Sequence, residues 1–102
     1  MALTQSYNEL WFHSVPFYGK NPDSIQLKLL PDQELPAEVR VECENRSTNP
    51  FELLTECDRG LFYDYSLGTR FLLRAKLTDR EGGKLFFYTY FGWSPIKIIE
   101  GN

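Results

Sequence analysis

The chain reads as an all-β domain of six to seven short strands, and three observations carry that reading. Apolar and polar residues alternate in several stretches, the period that sets one face of a strand on a core and the other towards water. Clusters of Gly, Pro, Asn, Asp and Ser interrupt those stretches at intervals suited to short strands. Aromatic residues make up 16% of the chain, and large rings fit a pleated surface better than a helix interior, where their rotation is restricted.

The 102 residues can bury one core and are too few for two ordinary domains, so the whole chain is expected to form one domain. Hydrophobic residues at 42% and charged residues at 25% make a globular mixture. In chain order, residues 10–15 are the first expected strand, closed by Pro16 and a turn-rich stretch with Gly19, Asn21 and Pro22. Its flank has an alternative as a helical turn, because Ser6 and Glu9 have capping-box spacing. In residues 24–30, Ile25, Leu27 and Leu29 alternate with Ser24, Gln26 and Lys28, which predicts a second strand.

Val39, Val41 and Cys43 alternate with Glu38, Arg40, Glu42 and Glu44, predicting a third strand that begins after Pro36, with a solvated and mostly acidic outer face. Phe51, Leu53, Thr55 and Cys57 also alternate; although Asn49-Pro50-Phe51-Glu52 has the form of a helix start, strand is the preferred reading. Residues 61–65 are expected to be extended, between Asp58-Arg59-Gly60 and Ser66-Leu67-Gly68.

The best-defined unit is a hairpin of residues 69–78 and 84–91, turned by residues 79–83. Pairing Thr78 with Lys84 sets Leu77 against Leu85 and Ala75 against Phe87 on the core face. It also sets Lys76 against Phe86 and Arg74 against Tyr88 outside, whereas a one-residue slip would exchange the faces. After a corner at Gly92-Trp93-Ser94-Pro95, residues 96–99 read as a closing strand, with Trp93 expected to plug the end of the core.

Such an element list fits a sandwich or a small closed barrel. The stretch from Val39 to Ser47, followed by Asn49-Pro50-Phe51, resembles a strand and loop of immunoglobulin-like sandwiches. The resemblance implies an immunoglobulin-like sandwich ahead of an OB-like or SH3-like barrel and brings no functional residue with it.

A net charge of −3 gives no global attraction for phosphate backbones or anionic membranes, so such binding needs a local basic patch. No apolar run is long enough to span a membrane and no leader pattern opens the chain, which leads us to expect a cytoplasmic protein without membrane contact. Cys43 and Cys57 are too few for a disulfide scaffold or a thiolate zinc site; two reduced thiols are expected, with one bridge open to them if their strands adjoin. The glycosylation-like Asn45-Arg46-Ser47 is read as coincidence without a secretory signal.

Candidate chemistry is sparse. His13 is the single histidine, set among Trp11, Phe12 and Val15, and reads as a strand residue before a catalytic base. Asp58, Asp64 and Glu52 would suit a hard cation if they converged, but match no calcium-loop spacing and read as solvated loop acids. No nucleophile elbow or phosphate loop occurs, so neither enzyme, metal nor cofactor is expected. Trp11, Trp93 and Tyr63 are weaker candidates for a sugar platform.

The suggestive feature is the outer hairpin face, where Arg74 and Lys76 stand beside Phe86, Tyr88 and Tyr90. A small protein struggles to cover a second apolar face, so the leading expectation is a non-catalytic interaction module that binds a protein partner or itself as a homo-oligomer. The same residues could stack bases and neutralise phosphates, making a single-stranded nucleic-acid barrel the alternative. A small hydrolase or metal-dependent enzyme using His13, Asp58 or Asp64 ranks third.

Overall fold

The structure is a computed structural model that describes residues 6–16, 25–58, 60–79, 83–90 and 92–101, with backbone only at 62 and 63. The expected turn at Gly19, Asn21 and Pro22, the tip of the hairpin loop, Phe91 and the Tyr63 side chain fall outside that description. β1 (Asn8–Pro16) turns Leu10, Phe12 and Ser14 inward, so the flank that might have formed a helical turn is already extended at Asn8. β2 (Ile25–Leu29) buries Leu27 and Leu29 and runs antiparallel to β1, with Phe12 opposite Leu29.

β4 (Arg70–Asp79) is the centre of the fold. It buries Phe71, Leu73, Ala75, Leu77 and Asp79 on one face and pairs antiparallel with β1, with β5 (Leu85–Tyr88) and with β6 (Lys97–Ile99). β3 (Thr55–Glu56) lies parallel to β5, giving a mixed six-stranded sheet of order β2-β1-β4-β5-β3 with β6 on β4. The sheet curls nearly into a barrel: β2 and β3, its two ends, approach one another. Inside, Phe12 of β1 meets Phe87 of β5 edge to face at 5.6 Å. The all-β domain expected from the sequence is thus observed, its core built on the fully buried Phe12, Phe71 and Phe87 with leucines from four strands. Each such ring contributes roughly 1.5–3 kcal/mol by leaving water.

The hairpin has the expected faces and a different pairing. Thr78 lies opposite Phe86 and Leu77 opposite Phe87, two residues from the pairing of Thr78 with Lys84. A slip of two preserves which side chains point inward, so hydrophobic pattern does not discriminate between these registers. Asp79 does: this pairing leaves its carboxylate buried, 2.8 Å from the Arg46 guanidinium.

Between β2 and β4 the expected strands give way to helical structure. Residues 37–45 form helix α1 (Ala37–Asn45), not a strand. Val39 and Cys43, one helical turn apart, are buried, whereas Val41 is 50% exposed; a strand would have pointed all three the same way. Ala37, Arg40 and the glutamates favour helix, Glu38 suits the positive N-terminal end, and Arg46 pairs with Glu42 at 2.7 Å. The helix stops with Ser47 at φ 50° and the Thr48 N–H donating to the Cys43 carbonyl at 2.8 Å, a Schellman-type closure.

Pro50–Glu52 is a 3₁₀ turn capped by the Asn49 side chain, which accepts the Phe51 N–H at 3.0 Å. Strand is therefore confined to Thr55–Glu56, clipped to β5 by the Phe87 N–H on the Leu54 carbonyl. Residues 61–65 are not extended either: α2 (Gly60–Tyr63) is one helical turn, started where the Asp58 carboxylate accepts the Gly60 N–H at 3.1 Å. The residues that carried the immunoglobulin-like resemblance thus lie in α1 and the 3₁₀ turn.

Candidate binding face

The strand registers lay the outward side chains of the sheet in rows. Lys28, His13, Arg70 and Ile99 form one row across β2, β1, β4 and β6; Trp11, Leu72 and Lys97 form the next. Glu9 lies opposite Arg74, and Lys76 lies opposite Tyr88, which has Glu56 on its other side. The five anticipated residues, Arg74, Lys76, Phe86, Tyr88 and Tyr90, are accordingly on β4, β5 and the turn after β5, Arg74 and Tyr90 exposed and the other three half-buried.

Residues distant in sequence complete the face. The Lys76 ammonium lies 5.1 Å from the centre of the Tyr7 ring and 5.9 Å from that of Tyr88, within the range where a cation is drawn to a ring face. Trp93 meets Tyr7 edge to face at 5.0 Å and Tyr90 at 5.6 Å. Trp93 is 39% exposed: it joins the outer aromatic array and does not plug the core. Gly92 permits this, because a Cβ there would collide with the Tyr90 ring, and the turn closes with the Trp93 N–H on the Tyr90 carbonyl at 3.1 Å.

Trp11 is set by a side chain that imitates a strand. The Gln33 carboxamide donates to the Trp11 carbonyl at 2.8 Å and accepts the Trp11 N–H at 3.1 Å, extending the β1 ladder beyond β2. His13 lies beside Trp11 on β1; burial, then the charges of Arg70 and Lys28, hold its imidazole below the usual histidine range.

The rows gather five cations, Lys28, Arg70, Arg74, Lys76 and Lys97, against two carboxylates, Glu9 and Glu56, on a chain of net charge −3. Among the described residues both ion pairs involve Arg46 and lie off this face. Of the remaining acids among the described residues, Asp32, Glu34, Glu38, Glu42, Glu44, Glu52, Asp58 and Asp64 fall between β2 and β4, whereas Asp79 is buried on β4 and Glu100 follows β6.

The catalytic candidates separate. Asp58 and Asp64 converge on Gly60 beside Trp93 and Tyr65 in a recess of about 210 Å³. Glu52 instead lines a cleft of about 1030 Å³ with Arg46, Leu54 and Phe86, and His13 is on the sheet. Among the described residues no three His, Cys, Asp or Glu side chains gather to hold a metal ion. Cys43 and Cys57 are free thiols; burial and then the Asp58 charge push Cys57 up to about 12, which makes it a poor nucleophile. No helix among the described residues is long and apolar enough to cross a membrane. No protein-family model, curated protein or solved structure matches the chain.

Proposed function

We propose that this protein is a non-catalytic interaction module that docks an anionic partner on the outer face of β4 and its neighbours. The observation that carries this reading is the array at Lys76, whose ammonium lies near Tyr7 and Tyr88 while Trp93 links Tyr7 to Tyr90. Lys76 and Tyr88 are held on paired strands, and Tyr7 and Tyr90 each pack on Trp93, so the array is pre-ordered and binding costs little side-chain entropy. A second copy fits this face less well than an unlike partner, because a twofold contact would bring two faces of net positive charge together.

Retention on a sulfated polysaccharide resin tests the reading. The protein is expected to bind at low salt despite its net charge of −3, and the Arg74→Glu, Lys76→Glu double variant to pass through while keeping its circular dichroism spectrum. Equal retention of the folded variant would move the docking surface elsewhere.

A further inference from the structure

We infer that the partner is a single-stranded nucleic acid, laid along the outer face of β4 with its bases on Trp11, Tyr88, Tyr90 and Trp93 and its phosphates at Arg70, Arg74 and Lys76. This inference rests on the anionic docking face proposed above and adds the chemistry of the ligand. An anion alone needs only the cations, and an apolar protein surface needs only the rings. Here the two alternate: outward positions of β4 form a ladder with steps of about 7 Å, in which Arg74 and Lys76 are neighbours and Arg70 lies about 14 Å from Arg74, with Leu72 and its partner Trp11 between them. Trp11 flanks this ladder from β1 and Tyr88 from β5.

Every base has a face on which a ring can stack, and an unpaired strand exposes that face while its phosphates follow the positive ladder. A duplex hides those faces in its own stack and is read through grooves by an inserted helix or ribbon. Among the described residues the outward rows of the sheet are paired strand positions with no helix among them. An acidic chain can do this because the outward rows hold five cations against Glu9 and Glu56, while most of its acids fall in the segment between β2 and β4. Lys28 and Arg70 flank His13 in one row at one end of the ladder, and burial first, then these two charges, lower the affinity of its imidazole for protons.

The test is fluorescence anisotropy with a labelled oligodeoxythymidine of about 20 nucleotides, longer than many single-domain sites, beside a base-free sugar-phosphate chain of the same length and a polyglutamate. The oligonucleotide is expected to bind at low salt at least tenfold more tightly than the base-free chain. Its log affinity should fall against log salt with a slope of about −2 to −3.5, corresponding to three to five phosphates. Trp11→Ala should weaken binding about tenfold without changing the slope, and Tyr90→Ala, at an exposed ring, repeats that test without disturbing the sheet. Arg70→Ala should make the slope shallower by about 0.7. Bound phosphates offset Arg70 and Lys28, so the pKa of the single imidazole, followed by NMR, should rise in the complex.

Equal binding of the base-free chain, or polyglutamate competing as well as the oligonucleotide, would overturn the inference in favour of simple anion or acidic-protein binding. Absence of oligonucleotide binding while the sulfated resin still retains the protein through Arg74 and Lys76 would overturn the ligand and leave the docking face standing. Loss of both would remove the face as well.

Discussion

Helix α1 and strand β4 begin from the same local pattern and end as different structures. In one, Val39, Val41 and Cys43 alternate with charged residues; in the other, Phe71, Leu73 and Ala75 alternate with Arg70, Leu72 and Arg74. β4 continues the alternation through Leu77 and has partners on both sides, so all its inward residues are buried. The helix buries only Val39 and Cys43 and leaves Val41 in water. Three alternating positions satisfy both periods, since the first and third are also one helical turn apart. Longer runs and pairing partners separate the two. Charge follows the same division, with cations on the outward face of β4 and acids around α1.

The largest test of this contrast lies in the core. Phe71→Ala should cost about 3–5 kcal/mol, read from urea denaturation, because the ring is fully buried and meets Tyr65 edge to face at 5.3 Å. A loss below about 1 kcal/mol, typical of a surface site, would mean that β4 is not the spine of the fold.

A smaller effect tests how the segment before α1 is tied to the sheet. Gln33 replaces a missing strand partner for Trp11 and also donates to the Leu30 carbonyl at 2.7 Å. Gln33→Ala should therefore cost about 1–3 kcal/mol and speed hydrogen exchange at the Trp11 amide, since the Trp11 N–H and the Leu30 carbonyl lose the Gln33 side chain while the Trp11 carbonyl keeps the Leu30 N–H. Unchanged exchange at that amide would show that Trp11 is held by β4 and by the Leu30 N–H on its carbonyl, without Gln33.

These particulars explain what was legible in the sequence. β1, β2, β4 and β5 announced themselves because each has one face on the core, which alternation or an apolar run records; β6, exposed at all three residues, was legible only as an apolar run after the corner at residues 92–95. The clues to α1 were also present: Ala37, several glutamates, Arg40 and the spacing of Glu42 and Arg46 favour helix, but in a chain rich in strands the shorter period was preferred. The hairpin register could not be read, because two pairings with the same faces differ only through Asp79 and Arg46, residues brought together by tertiary structure.

The candidate face divides in the same way. Arg74, Lys76, Phe86, Tyr88 and Tyr90 could be grouped because one hairpin sets them side by side. Tyr7 reaches that group by long-range packing, for which no local motif exists, whereas Trp93 joins it through the short turn after Tyr90. Trp11 and His13 had a usable signal: the inward set Leu10, Phe12 and Ser14 sends Glu9, Trp11 and His13 outward together.

The smallest expected effect gives the sharpest comparison. In a strand with Val39 and Cys43 inward, Val41 would be buried too, and Val41→Ala would cost more than about 1 kcal/mol through lost burial and a cavity. In helix α1 Val41 faces water, and alanine has the higher helix propensity, so the same substitution should leave the urea midpoint unchanged or raise stability by a few tenths of a kcal/mol, at most about 0.7. A clear loss would return residues 37–45 to the sheet; a small gain would show that period alone misassigned them and that the exposed middle position was the decisive one.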